Sequence, residues 1–178
     1  MIRLLRKTVA TPSPLISIDP SACERVDISV VGREIEDHVK RLFRGSLAIR
    51  QVDAGSDNAA EQELVALSNP FYDVERFGVH FVASPRHADM LMATGPVARN
   101  MAEALRRTYA ATPDPKFVVA LGDDAIDGGI FRGSYAVYDA VKNVIPVDYE
   151  IAGDPPSPRA ILCALLKILE TIGANSLN

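Results

Sequence analysis

Carboxylates gather in glycine-bearing turns of this 178-residue chain. The turns are Asp53-Ala-Gly-Ser-Asp-Asn-Ala-Ala-Glu61, Ala120-Leu-Gly-Asp-Asp-Ala-Ile-Asp-Gly-Gly129 and Gly153-Asp-Pro-Pro-Ser-Pro158, joined by a polar turn at Ser84-Pro-Arg-His-Ala-Asp89. Asp57, Asp124 and Asp154 each follow a strand-like segment by a few residues. In a parallel sheet the C-terminal strand ends share one edge, where open α/β folds bind ligands. The three carboxylates then meet in one crevice, beside Glu61, Asp123 and Asp127. Like charges held together raise at least one pKa unless a counter-charge intervenes. Arg86, His87, Arg132 and Arg159 can supply it. A divalent cation is the other remedy, with Asp57, Asp124 and Asp154 as oxygen ligands suited to Mg²⁺, Ca²⁺ or Mn²⁺. We expect arginine pairing, through Arg86 or Arg159, so that neutralising Asp124 would strand a cation and destabilise the fold. Glu61 reads as a first-turn helix glutamate favoured by the dipole, with proton transfer as its chemical alternative. His87 reads as a loop hydrogen-bonder. No G-x-G-x-x-G or Walker pattern is present, and no Ser-His-Asp or Cys-His arrangement stands out.

These turns need elements to hold them. Apolar spacing predicts a helix over Glu34–Arg44. Strand-length runs lie at Ser46–Val52, Gly78–Ala83, Met90–Thr94, Lys116–Leu121 and Val144–Val147. Ala59–Leu67 reads as a helix capped by Asn58 or Asp57. A third helix is expected from Gly95-Pro-Val through Tyr109, and a short one over residues 134–142. Asp148–Pro158 reads as a loop. Arg159–Ile172 reads as an apolar helix stopped by Gly173. Alternating strands and helices predict an α/β fold with a mainly parallel sheet. Residues 1–45 are expected to be an arm and helix, irregular over 1–30, and residues 46–178 the α/β domain.

Composition narrows the function classes. About half the residues, 48%, are hydrophobic, enough for one core. The net charge is −4 with no basic block, which argues against a nucleic-acid surface. No apolar run approaches the ~20 residues of a membrane span. Met1-Ile-Arg-Leu-Leu-Arg-Lys7 is basic but lacks the apolar stretch of a signal peptide, and reads as an arm. Cys23 and Cys163 are the only cysteines. They match no metal-ligand spacing, and a cubane cluster needs about four thiolates. Cys163 is expected as a buried free thiol on an apolar helix face, which fits a reducing cytoplasm.

The four turns, in this order, resemble motifs of the small subunit of energy-converting [NiFe] hydrogenases and formate hydrogenlyases. That subunit is homologous to the cluster-carrying B subunit of NADH–quinone oxidoreductase, complex I. Its motifs read roughly D-x-G-S-C-N-G/A-C-E, S-P-R-H-A-D, G-x-C-A/G and G-C-P-P-x-P. Phe71–Gly78, Gly129–Phe131 and Val144–Asp148 add further likeness, and the resemblance covers residues 45–173. It implies a flavodoxin-like three-layer sandwich. It also implies that the four cysteines holding the family's [4Fe–4S] cluster correspond to Asp57, Ala60, Asp124 and Asp154, so the cluster is expected to be absent. The expected role is a structural or assembly subunit, without activity alone, docked on a large-subunit homologue. It would lie peripheral to membrane subunits on the cytoplasmic side. The alternatives are a divalent-cation-binding enzyme or regulator, and the family's electron-transfer role, which the missing thiolates oppose.

Overall fold

The computed structural model describes residues 16–18 and 27–177, with the side chains of Ile18 and of 175–177 left aside. Six strands form one all-parallel sheet: β1 (Ile16–Ile18), β2 (Leu47–Asp53), β3 (Val79–Phe81), β4 (Met90–Thr94), β5 (Phe117–Leu121) and β6 (Tyr149–Ile151). Their order is β1-β6-β5-β4-β2-β3. Leaving β1 aside, this is the doubly wound order of flavodoxin, reversing between β2 and β4. The helices are α1 (Ile28–Phe43), α2 (Ala59–Ala66), α3 (Ala102–Ala111), the short α4 (Asp123–Asp127) and α5 (Pro158–Leu177).

Period-2 alternation divides the core into two layers. Leu47, Ile49, Met90, Met92, Val119, Leu121, Tyr149 and Ile151 point to one side. There they meet Ile35 and Val39 of α1, Leu64 of α2, and Ile161, Leu165 and Ile168 of α5. Val52, Leu91, Ala93, Val118 and Ala120 point to the other, against Ala102 and Leu105 of α3 and Ala125 of α4. The result is the expected α/β sandwich.

Several elements differ from expectation. Ile16–Ile18, within the stretch read as irregular, pairs in register with Tyr149–Ile151. α1 contributes to the same core as the sheet. The last strand is β6, not Val144–Val147. Pro146 has no N–H for a central ladder, whereas Tyr149, Glu150 and Ile151 are all buried. Residues 134–140 form no helix: Val137 instead bridges Ala98, and a single 3-10 turn follows at Val141–Asn143. α3 begins at Ala102 because Gly95 and Val97 both hold positive φ, +79° and +57°, which no right-handed helix accommodates. α5 runs past Gly173, which approaches the side chains of His38 and Arg41 on α1. Cys163 is buried but disulfide-bonded rather than free. Spacing alone could not show that bond, and it removes the thiol argument for a reducing compartment. Cys23 and Met1–Lys7 lie outside the described residues. Among the described residues, no helix is long and apolar enough to cross a membrane.

Candidate functional site

The C-terminal edge of the sheet is built from the loops after β2, β4, β5 and β6. At the end of β2, Asp53 Oδ1 accepts the N–H groups of Gly55 (2.8 Å) and Ser56 (3.0 Å), folding the chain back at once. Asp57 then caps α2, its Oδ1 accepting Ala59 N at 2.9 Å. Asn58 occupies the cap position with φ +75° but makes no side-chain cap bond. The loop lies tight against the end of β4: a Cβ on Gly95 would sit 2.5 Å from Ser56 N.

A reciprocal pair of bonds joins the other two loops. Asp123 N donates to Gly153 O at 3.0 Å, and Gly153 N donates to Asp123 Oδ1 at 2.8 Å. This clasp sets Asp124 and Asp154 on neighbouring loops. Ala60 completes the group: a Cβ on Gly122 would lie 3.9 Å from the Ala60 methyl, 3.5 Å from Gly153 O and 4.0 Å from Pro156 Cδ. The four positions 57, 60, 124 and 154 therefore converge at the edge.

Asp124 is the electrostatic centre. Its pKa is pushed up to about 6, first by burial, then by the charges of Asp154, Asp57, Asp123 and Asp127. Each of those charges is negative. Asp124 Oδ1 sits only 2.1 Å from where a Gly129 Cβ would stand, and Gly129 holds φ +48°, which favours glycine there. Asp127 caps Gly129 N (3.0 Å) and pairs with exposed Arg132 at 3.5 Å.

Arginine neutralisation of Asp124, as expected above, is not what the structure builds. Among the described residues, Asp57, Asp124 and Asp154 form no ion pair with Arg86 or Arg159. Arg86 and His87 are exposed in a 3-10 turn just before β4. They sit at the opposite end of that strand from Thr94, roughly 13 Å away at ~3.3 Å per residue. Arg159 instead acts on Asp27, whose carboxyl is held low chiefly by hydrogen bonds from Ser29, with Arg33 and Arg159 adding to the effect.

Glu61 is 6% exposed at the β2–β4 reversal, and Thr94, fully buried, donates its hydroxyl to Glu61 Oε1. Glu61 Oε2 is buried with no hydrogen-bond partner among the described residues. Thr94 is the residue that sequence reasoning passed over as a site component. A hydroxyl closing an otherwise apolar strand was the available signal for Thr94.

The donor set does not fit an iron–sulfur cubane. Three carboxylates and a methyl group replace what would need to be thiolates. Among the described residues, no group of three or more His, Cys, Asp or Glu side chains is disposed to hold a metal ion. The carboxylates are close enough to repel without being arranged as ligands.

The repulsion gives a sign-definite prediction. Asp124 has a folded pKa of about 6 against an ordinary 3.8. Folding is thus penalised by ionisation: stability falls as pH rises from about 4 through 6 and is flat above. Asp124→Asn is expected to raise the melting temperature at pH 7–8 and to remove this part of the pH dependence. Melting curves at pH 4 to 8 check it; a lower melting temperature at pH 7 for the variant would contradict it.

Comparison with known proteins agrees with this geometry. The family model described as NADH ubiquinone oxidoreductase, 20 Kd subunit, matches residues 58–168. The chain is 44% identical over 131 residues to the protein MJ0516 of Methanocaldococcus jannaschii, covering 73% of this chain and 88% of that one. It is 43% identical over 121 residues to the probable membrane-bound hydrogenase subunit mbhJ of Pyrococcus furiosus, covering 68% and 72%. It is 41% identical over 124 residues to formate hydrogenlyase subunit 7 of Escherichia coli, covering 70% of this chain but 48% of that protein. Among solved structures, a chain of the membrane-bound sulfane sulfur reductase, an archaeal respiratory membrane complex, superposes with a TM-score of 0.64 at 36% identity, covering 72% and 71%. A doubly wound parallel sheet whose strand-end loops bring positions 57, 60, 124 and 154 together, read with these matches, shows that the chain belongs to the NADH ubiquinone oxidoreductase 20 kDa subunit family.

Proposed function

We propose that the chain is a structural or assembly subunit of a hydrogenase-like or complex-I-like membrane-associated complex and carries no [4Fe–4S] cluster. It docks a large-subunit homologue through the C-terminal edge of its sheet and sits peripheral to the membrane subunits on the cytoplasmic side. The carrying observation is the convergence of Asp57, Ala60, Asp124 and Asp154 in a family fold: the frame is kept and thiolates are absent from it. The same loops expose Ile130 (80%) and Tyr135 (90%), apolar surface of the kind a partner covers. The names of the relatives, subunits of a membrane-bound hydrogenase and of formate hydrogenlyase, support membership of such an assembly. Electron relay through this subunit would need a cluster that its side chains cannot ligate. Buried Glu61, whose Oε2 has no hydrogen-bond partner among the described residues, lies at this same edge.

Co-expression with a large-subunit homologue tests the docking. The expected result is a stoichiometric complex that Ile130→Glu with Tyr135→Glu weakens at least tenfold. Separate elution of the two wild-type chains would sink it.

A second reading, a divalent-cation-binding enzyme or regulator, draws on the unneutralised repulsion at Asp124. A cation selective for the folded state at ~100 times its Kd would add about 2.7 kcal/mol. Melting curves with Mg²⁺, Ca²⁺ or Mn²⁺ against EDTA would reveal that shift. We expect none, because the carboxylates are not set as a ligand group.

A further inference from the structure

The sheet is unevenly covered at its β2–β3 end. On one side, Leu47, Ile49 and Val79 are fully buried. On the other, Ala48, Arg50, His80 and Val82 are only half-buried. The register explains why these four belong to one face: Ala48 is paired with His80, and Arg50 stands beside Leu91, a member of the second core layer. Connections between parallel strands ordinarily take a dozen or more residues and include a helix that covers the sheet. Here β3 is joined to β4 by Val82–Asp89 alone, with one 3-10 turn at Pro85–His87. Among the described residues, no crossover helix between β3 and β4 covers this face.

The open face carries positive charge and an unmet donor. Arg50 Nε is buried and has no hydrogen-bond partner among the described residues. Arg50 forms no ion pair there either. His80 lies on the neighbouring strand, and exposed Arg86 and His87 occupy the connecting turn. Asp89, at the foot of β4, is engaged by Ala48 N at 3.0 Å, on the strand that carries Arg50. A guanidinium draws carboxylates into charge-assisted hydrogen bonds, and Arg50 has no such partner among the described residues.

We propose that this uncovered β2–β3 face binds an acidic segment of a neighbouring protein subunit, with a carboxylate taken by Arg50 and further acidic groups by His80, Arg86 and His87. The segment occupies the space that a crossover helix fills in a complete doubly wound fold. This surface is separate from the C-terminal edge, so its failure would leave the large-subunit docking reading untouched, and the reverse.

The test uses the full chain labelled with ¹⁵N-arginine. The Arg50 Nε–Hε resonance is assigned by its loss in Arg50→Lys. Acetylated hexaglutamate is titrated at low ionic strength, with hexalysine and anionic phosphatidylglycerol vesicles as parallel probes. The expected result is a saturable shift of the Arg50 resonance with hexaglutamate, reversed by 0.5 M salt and absent with hexalysine. Arg50→Gln is expected to weaken binding at least tenfold, and Asp124→Asn to leave it unchanged. Arg50→Lys, which keeps the charge, guards against a folding artefact and should bind between the two. An unmoved Arg50 resonance, equal binding by Arg50→Gln, or a shift produced only by the vesicles would overturn the proposal, the last in favour of a membrane surface.

Discussion

A chain carrying Asp57→Cys, Ala60→Cys, Asp124→Cys and Asp154→Cys is expected to turn brown on anaerobic reconstitution and to retain about four irons per molecule. The geometry supports each position. Asp124 and Asp154 sit on loops clasped through Asp123 and Gly153, and Asp57 fixes the first turn of α2 one residue pair before Ala60. The Ala60 methyl approaches Gly122 and Pro156, so a thiol there reaches toward the same loops. A thiol at position 124 is shorter than the carboxylate that now lies against Gly129, and fits without displacing that turn. The substitutions also remove three mutually repelling charges. Restoring only the three aspartate positions should give much lower iron retention, because Ala60 then leaves the fourth corner open. A folded, colourless quadruple variant would show that the four positions do not share one cluster-sized space.

The second large effect lies in the layer that positions the site. Gly32, on α1, is buried against Phe77, and a Cβ there would stand 2.1 to 2.5 Å from three ring atoms. Phe77 is itself buried, so the ring has little freedom to withdraw. Gly32→Ala is therefore expected to destabilise by about 2–3 kcal/mol, after a helix-propensity gain of up to ~1 kcal/mol. For a chain of this size, that lowers the melting temperature by roughly 4–12 °C. Phe77→Leu, combined with Gly32→Ala, should recover part of the loss by making room. A Gly32→Ala variant as stable as the wild type would mean that α1 does not lie against Phe77 as described.

The sequence made much of this architecture legible, and the exceptions have physical causes. β4 and β5 stood out because strands covered on both faces are continuously apolar, as Met90–Thr94 and Phe117–Leu121 are. β6 did not, because its charge is hidden by a partner rather than absent: Glu150 is buried and takes Lys142 Nζ at 3.3 Å. Asp148, just before it, also looks like a loop residue. It is half-buried and accepts Val118 N at 2.8 Å, and burial raises its carboxyl pKa despite that bond. Its neighbour Tyr149 is pushed up to about 12, by burial first and then by Asp148. A glycine inside α5 was read as a stop because spacing cannot reveal that α1 passes alongside it.

The site was legible in its residue types and only partly in its pairings. Asp-Gly turns after three strands were enough to bring Asp57, Asp124 and Asp154 to one edge. The expected arginine partners failed for a topological reason. Ser84–His87 lies in the β3-to-β4 connection, which crosses β2 without an α-helix and stays at the beginning of β4, so Arg86 is set at the wrong end of the sheet. Glu61 was named from its place beside Ala60, but its bond with Thr94 depends on β2 and β4 being neighbours. That adjacency is a property of strand order, which no local pattern encodes.

The central claim is a family frame that binds no cluster, and the most direct measurement is iron and acid-labile sulfide on the wild-type chain. The chain is purified anaerobically, reconstituted with iron and sulfide, desalted, and read by visible absorption and by EPR after dithionite reduction. The account predicts well under one iron per chain and no reduced-cluster signal, because Asp57, Ala60, Asp124 and Asp154 offer no thiolate. A stoichiometric [4Fe–4S] signal from the wild-type chain would contradict it.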